Sequence, residues 1–181
     1  MIAAVPLLDA PAAGFDQPFE MLLACHQRVD RMLRLLQRLA PHLATHGADA
    51  EAVRAAQAVL RYFDLAGPAH HEDEERHLLP LLRARGDASL RALAARLRRE
   101  HRTMTSRWRG VRADLQAVCE GRWRRRPAAA ARWAAFATLY RRHIDDEERI
   151  AYAALRPWLD ARALASMGRE MAARRGAPVA S

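Results

Sequence analysis

The chain has 181 residues, enough for one domain with a sizeable core, and its two cysteines, Cys25 and Cys119, stand far apart in no CxxC pair, which excludes a disulfide framework and a zinc knuckle. Its 30 basic residues are all arginine against 21 acidic ones; the formal net charge of +9 suits nucleic acid or acidic lipid, but the arginines are scattered along the whole chain and read first as a solvated surface. No apolar run reaches membrane-spanning length, and the shortage of β-branched and aromatic residues in an Ala-, Leu- and Arg-rich sequence excludes a sheet.

Residues 1–16, rich in Ala and Pro, are expected to form a flexible leader. Its apolar run lacks a basic start and is broken by Pro6 and Asp9, so no signal peptide is read and a cytoplasmic protein is expected. A first helix is predicted from about Pro18 to about Ala40, with Leu22, His26, Val29, Leu33 and Leu36 on one stripe and Pro41 ending it. Asp49 suits the cap of a second helix, which turns Val53, Ala56, Leu60 and Phe63 inward. Pro68 lacks a donor and clashes with the preceding turn, which predicts a kink or restart before the helix ends at Gly86. Asp87 caps a third helix to about Glu120, striped by Leu90, Ala94, Leu97, His101, Met104, Trp108, Val111, Leu115 and Val118. Pro127 suits the first turn of a fourth, which carries Trp133, Phe136, Tyr140, His143, Glu147, Ile150 and Ala154 to a stop before Pro157. A weaker amphipathic piece over 158–172 and a disordered tail close the chain. The expected fold is all-α: an antiparallel up-down four-helix bundle over 17–158, with a short helix and tail over 159–181.

The chemistry lies in where the histidines fall. His26, His70, His101 and His143 each sit mid-stripe on a different helix, and Glu74 and Glu147 follow two of them at i+4, on the same face. One inward His is ordinarily a core residue bonded to a carbonyl, and one buried unpaired carboxylate is costly to desolvate. Two His-x3-Glu pairs plus two more inward histidines are explained together by a shared cation. Without thiolate the set suits iron, manganese or zinc. Six ligands exceed a closed tetrahedral zinc site and fall short of saturating two six-coordinate irons, which favours di-iron with positions open to small molecules. His71 and Glu75 form a second i, i+4 pair one residue out of phase; the stripe through Phe63 and Leu81 favours His70 and Glu74, and the kink at Pro68 keeps both pairs in play. His42, His46 and His77 read as surface residues, Tyr140 as core packing with a hydrogen bond to a ligand as its alternative, and the arginine run 122–126 as a solvated loop.

The run from His70 to Pro80, HHEDEERHLLP, resembles the signature of the hemerythrin-like (HHE cation-binding) family: His-x3-Glu-Glu, then an apolar pair and Pro. Glu100-His101 resembles that family's Glu-His motif, His143 to Glu148 its second His-x3-Glu-Glu, and His26 its first-helix ligand, so the similarity covers roughly 18–158. The spacing to Leu78-Leu79-Pro80 also favours His70 and Glu74 over the pair out of phase. The resemblance implies two iron ions (Fe2+/Fe3+), oxo- or hydroxo-bridged, with Glu74 and Glu147 bridging and His26, His70, His101 and His143 as terminal ligands. Oxygen-carrying members place a further His one turn after the helix-three ligand; Thr105 stands there, so a fifth histidine is missing and simple reversible oxygen carriage is weakened. The expected function is a di-iron protein that binds or senses oxygen, nitric oxide or iron as a carrier, store or scavenger. The alternative is a di-iron enzyme acting on dioxygen, peroxide or nitric oxide, oxidase- or peroxidase-like or repairing nitrosative damage. No membrane partner is expected, and a basic bundle that binds nucleic acid around a structural metal ranks third. Oligomeric state is not legible.

Overall fold

The computed structural model describes residues 13–124 and 127–177, and among these it is all-helical, with no strand. We number its helical rods α1 (Pro18–His46), α2 (50–85), α3 (Ala88–Cys119), α4 (127–158) and α5 (Ala161–Arg174). Residues 1–12 and 178–181, where most of the leader and the tail were expected, lie outside the described residues.

The starts follow the predicted chemistry. Asp49 and Asp87 accept hydrogen bonds from the backbone N–H of Ala52 and Leu90 at 2.8 and 2.9 Å, and Asp160 caps α5 through Ala163 at 2.7 Å. Each such cap is worth about 1 kcal/mol against alanine. Two expected stops are overrun. Pro41 lies inside α1, which continues to His46; the carbonyl it leaves unserved belongs to Gln37, on the exposed face where solvent can serve it. Gly47, at φ 70°, ends the helix instead. Pro157 likewise sits in a closing 3-10 turn, Arg156–Trp158.

No break occurs at Pro68. The rod α2 instead contains two π-helical turns, Tyr62–Ala66 and Glu74–Leu78, closed by i→i+5 bonds from Gly67 N–H to the Tyr62 carbonyl and from Leu79 N–H to the Glu74 carbonyl. Each turn holds the carbonyl four residues before a proline, Asp64 before Pro68 and Arg76 before Pro80. The ring would clash with that carbonyl in a regular helix, and the wider turn relieves the clash. A third π segment, Glu147–Tyr152, interrupts α4.

These turns shift the buried face. Ile150, expected inward, is 46% exposed, while Ala151, Tyr152 and Leu155 are buried. In α2, Leu78, Leu79 and Leu82 are buried where Leu81 was expected. The stripes of α1 and α3, which have no π turn, lie as predicted, with Leu90 and Trp108 half-buried.

The apolar interior falls into two clusters. One gathers Val29 to Leu43 of α1, the start of α2, Met104 to Val118 of α3 and Ala129 to Tyr140 of α4. The other joins Phe19 to Leu22, Leu78 to Leu82, Leu93 to Leu97 and Ala151 to Leu155 with Met167 and Met171 of α5. On each of α1 to α4 the expected metal residues lie between the two. The helix α5 is held down by Arg174 and Arg175, which both pair with the buried Asp73 of α2, Arg175 at 2.6 Å. It approaches so closely that a Cβ on Gly168 would sit 1.8 Å from the Phe15 carbonyl oxygen.

Candidate metal centre

Between the apolar clusters lies a layer of buried ionisable side chains: His26, His70, His71, Glu74, Glu100, His101, His143 and Glu147. All six residues expected to hold metal are in it, so the four helices bring them together. Glu74 and Glu147 occupy the middle and each turns one oxygen to either side. Glu74 Oε1 lies 3.4 Å from His70 Nε2 and 3.8 Å from His26 Nε2, while its Oε2 lies 3.5 Å from His101 Nε2. Glu147 Oε2 is 3.3 Å from His26 Nε2, and its Oε1 is 2.9 Å from His143 Nε2 and 3.7 Å from His101 Nε2. Two four-residue sets result, His26–His70–Glu74–Glu147 and Glu74–His101–His143–Glu147, each with its ligand atoms within 4.8 Å of one another and both sharing the two carboxylates.

The donor set fits a cation. His26 Nε2, His70 Nδ1, Glu74 Oε2 and both Glu147 oxygens are buried without a hydrogen-bond partner. A buried polar atom left unpaired costs about 1–3 kcal/mol, more if charged, so five in one layer point to a ligand that satisfies them together.

The rings are aimed from behind by carboxylates on neighbouring helices. Nδ1 of His26 donates to Glu148 at 2.9 Å, Nδ1 of His101 to Glu75 at 3.0 Å and Nδ1 of His143 to Glu100 at 2.9 Å. A carboxylate on Nδ1 fixes the tautomer that leaves Nε2 facing inward and raises its basicity. Glu75 therefore stands behind a ligand rather than in the centre, which separates it from Glu74. Glu100 is itself held by Arg142 at 2.9 Å and Arg96 at 3.2 Å.

The protonation pattern shows what a cation would replace. Burial opposes charge on His26, but Glu147, Glu148 and Glu74 lift its pKa well above the usual value. Burial opposes it on His143 too, yet Glu147 and Glu100 raise its pKa to about 10. Burial alone would raise Glu147, but His143, His101 and His26 hold it well below the ordinary carboxylate range. In the metal-free chain, imidazoliums thus balance the buried carboxylates. His71 is the exception: burial, then the neighbouring His101, His70 and His143, push its pKa far down and leave it neutral.

Three groups escaped the sequence reading. Tyr152 donates from its hydroxyl to Glu74 Oε1 at 2.5 Å and stacks on His26, centroids 5.4 Å apart, whereas Tyr140 packs among Phe63, Phe136 and His71. A regular α4 would have turned Tyr152 away; the π segment turns it in. His71 was weighed only as a rival to His70, yet both are buried. Asp73 carried no signal, because its partners lie about a hundred residues on. His77, read as a surface residue, pairs with Glu170 of α5 at 2.7 Å, and His42 pairs with Asp49 at 3.0 Å.

No helix among the described residues is long and apolar enough to cross a membrane. The sequence profile described as the hemerythrin HHE cation binding domain matches residues 17–155, a span that contains every residue of the buried layer. A protein of Haemophilus influenzae, described as an uncharacterized protein, is 31% identical over 163 residues, covering 90% of this chain and 92% of its own length.

Proposed function

The chain belongs to the hemerythrin HHE cation-binding family, and from that premise we propose that it is a non-haem di-iron protein that binds or senses a small molecule, oxygen, nitric oxide or peroxide, in the core of its bundle. One observation carries the reading: Glu74 and Glu147 each present one oxygen to either of two histidine sets, the arrangement two bridging carboxylates need. His26 and His70 would serve one ion, and His101 and His143 the other. Two irons would supply redox-active positions at which such a ligand can bind.

The chain's own residues do the rest. Glu148, Glu75 and Glu100 orient the rings through Nδ1, and the flanking apolar clusters keep bulk water from the layer. Loading displaces protons from His26, His101 and His143, so uptake competes with acid. The same reading takes α1 to α4 as an antiparallel up-down bundle over 17–158. Its support is that α1 and α3 pass the layer from the second apolar cluster to the first, while α2 and α4 pass it the other way.

Metal analysis of the full chain from iron-supplied cells, with its visible spectrum in air, tests the proposal. The expected result is close to two irons per chain with charge-transfer absorption. One colourless zinc per chain would overturn it. Sustained consumption of oxygen or peroxide in the presence of a reductant would instead favour the enzyme over the binding protein.

A further inference from the structure

The two adjacent histidines of α2 part company across the bridging carboxylates. His70 lies beside His26, ring centroids 4.8 Å apart. His71 lies on the other side, its ring 4.0 Å from that of His101 and within 8° of parallel, and 6.1 Å from that of His143. One ring nitrogen from each of His71, His101 and His143 lies within 4.8 Å of the other two. In a regular helix, neighbours point about 100° apart, and only one of the two could face the centre. The segment Gly67–Asp73 is flanked by π turns on both sides, and there both are buried.

An ordinary core histidine satisfies its ring by a hydrogen bond, commonly to a backbone carbonyl. His71 is 8% exposed, and no described residue hydrogen-bonds either of its ring nitrogens. Tyr140 covers it at 5.8 Å and offers only a ring face. Thr105, where a further histidine was sought, spends its hydroxyl on the His101 carbonyl at 3.0 Å.

We propose that His71 is a fifth imidazole of the centre, joining His101 and His143 at one metal position. The two positions are then unlike. Three imidazoles serve one, two serve the other, and the small ligand enters on the His26–His70 side, where fewer protein groups compete. The proposal rests on the di-iron reading above. A cavity of about 440 Å³, lined in part by Pro68, Arg102 and Thr105, opens on His71 and His101 and provides a way to test it.

The experiment compares iron content and 57Fe Mössbauer spectra of the full chain, of His71→Ala, and of His71→Ala with free imidazole. The wild type is expected to hold two irons in two distinct quadrupole doublets of equal area. In His71→Ala one doublet shifts or its iron is lost, the other stays, and imidazole entering the cavity restores the first. Two irons with an unchanged spectrum in His71→Ala, or equivalent irons in the wild type, overturn the role of His71 and leave the di-iron reading standing. A wild type without iron overturns both. His71→Gln, which fills similar space without an imidazole, is read in the same way if the alanine variant fails to fold.

Discussion

The helices that give only histidine to the layer differ from those that also give glutamate. Helices α1 and α3 cross it as uninterrupted α-helix, and their buried stripes keep one period from end to end. Helices α2 and α4 enter a π segment at the glutamate itself, at Glu74 and at Glu147, and their buried faces shift beyond it. One residue per turn is enough to bring a lone imidazole inward. Bringing in an imidazole, a carboxylate and then a fresh apolar face needs a local change of pitch, and π turns are common where function demands one.

The largest test of this contrast sets Glu147→Ala against His26→Ala. The carboxylate faces both histidine sets, so its loss should cost both irons, whereas His26→Ala should spare the ion on the His101–His143 side; iron per chain, measured by mass spectrometry, distinguishes them. Equal losses would mean that the two kinds of helix contribute alike. A smaller effect checks the shifted face of α4. Leu155→Ala should destabilise the fold by about 2–5 kcal/mol in urea unfolding, and Ile150→Ala by no more than about 0.5 kcal/mol. The reverse order would restore a regular helix and remove the contrast. Smallest are the groups behind the rings: Glu148→Gln and Glu75→Gln should weaken iron affinity by about 10–100-fold in competition with a chelator, without changing its stoichiometry.

The contrast also explains what could be read in advance. Wherever the backbone is regular, the period of apolar residues located the buried face, and His26 and His101 sit where their stripes placed them. Caps at Asp49 and Asp87 were legible because they are local. The misses cluster at the π turns. Ile150 was taken for core, Tyr152 passed unnoticed, and His71 was set against His70 because a fixed period admits only one of them. The prolines were visible, but they were taken as breaks at 41, 68 and 157, and the helices absorb all three. The grip of Arg174 and Arg175 on Asp73 had no local trace, since it forms only once α5 folds back on α2.

The π turns also make residue count a specification separate from residue identity. Removing one residue between Tyr62 and Ala66 would leave every histidine and glutamate in the sequence, yet turn His70, His71 and Glu74 by about 100° relative to the start of α2. The joints at 47–49 and 86–87 lie outside the rods and carry no such phase. Among related chains, a gap within α2 or α4 therefore signals a rebuilt centre even when every motif letter survives, while a gap in a joint need change only the length of a connection.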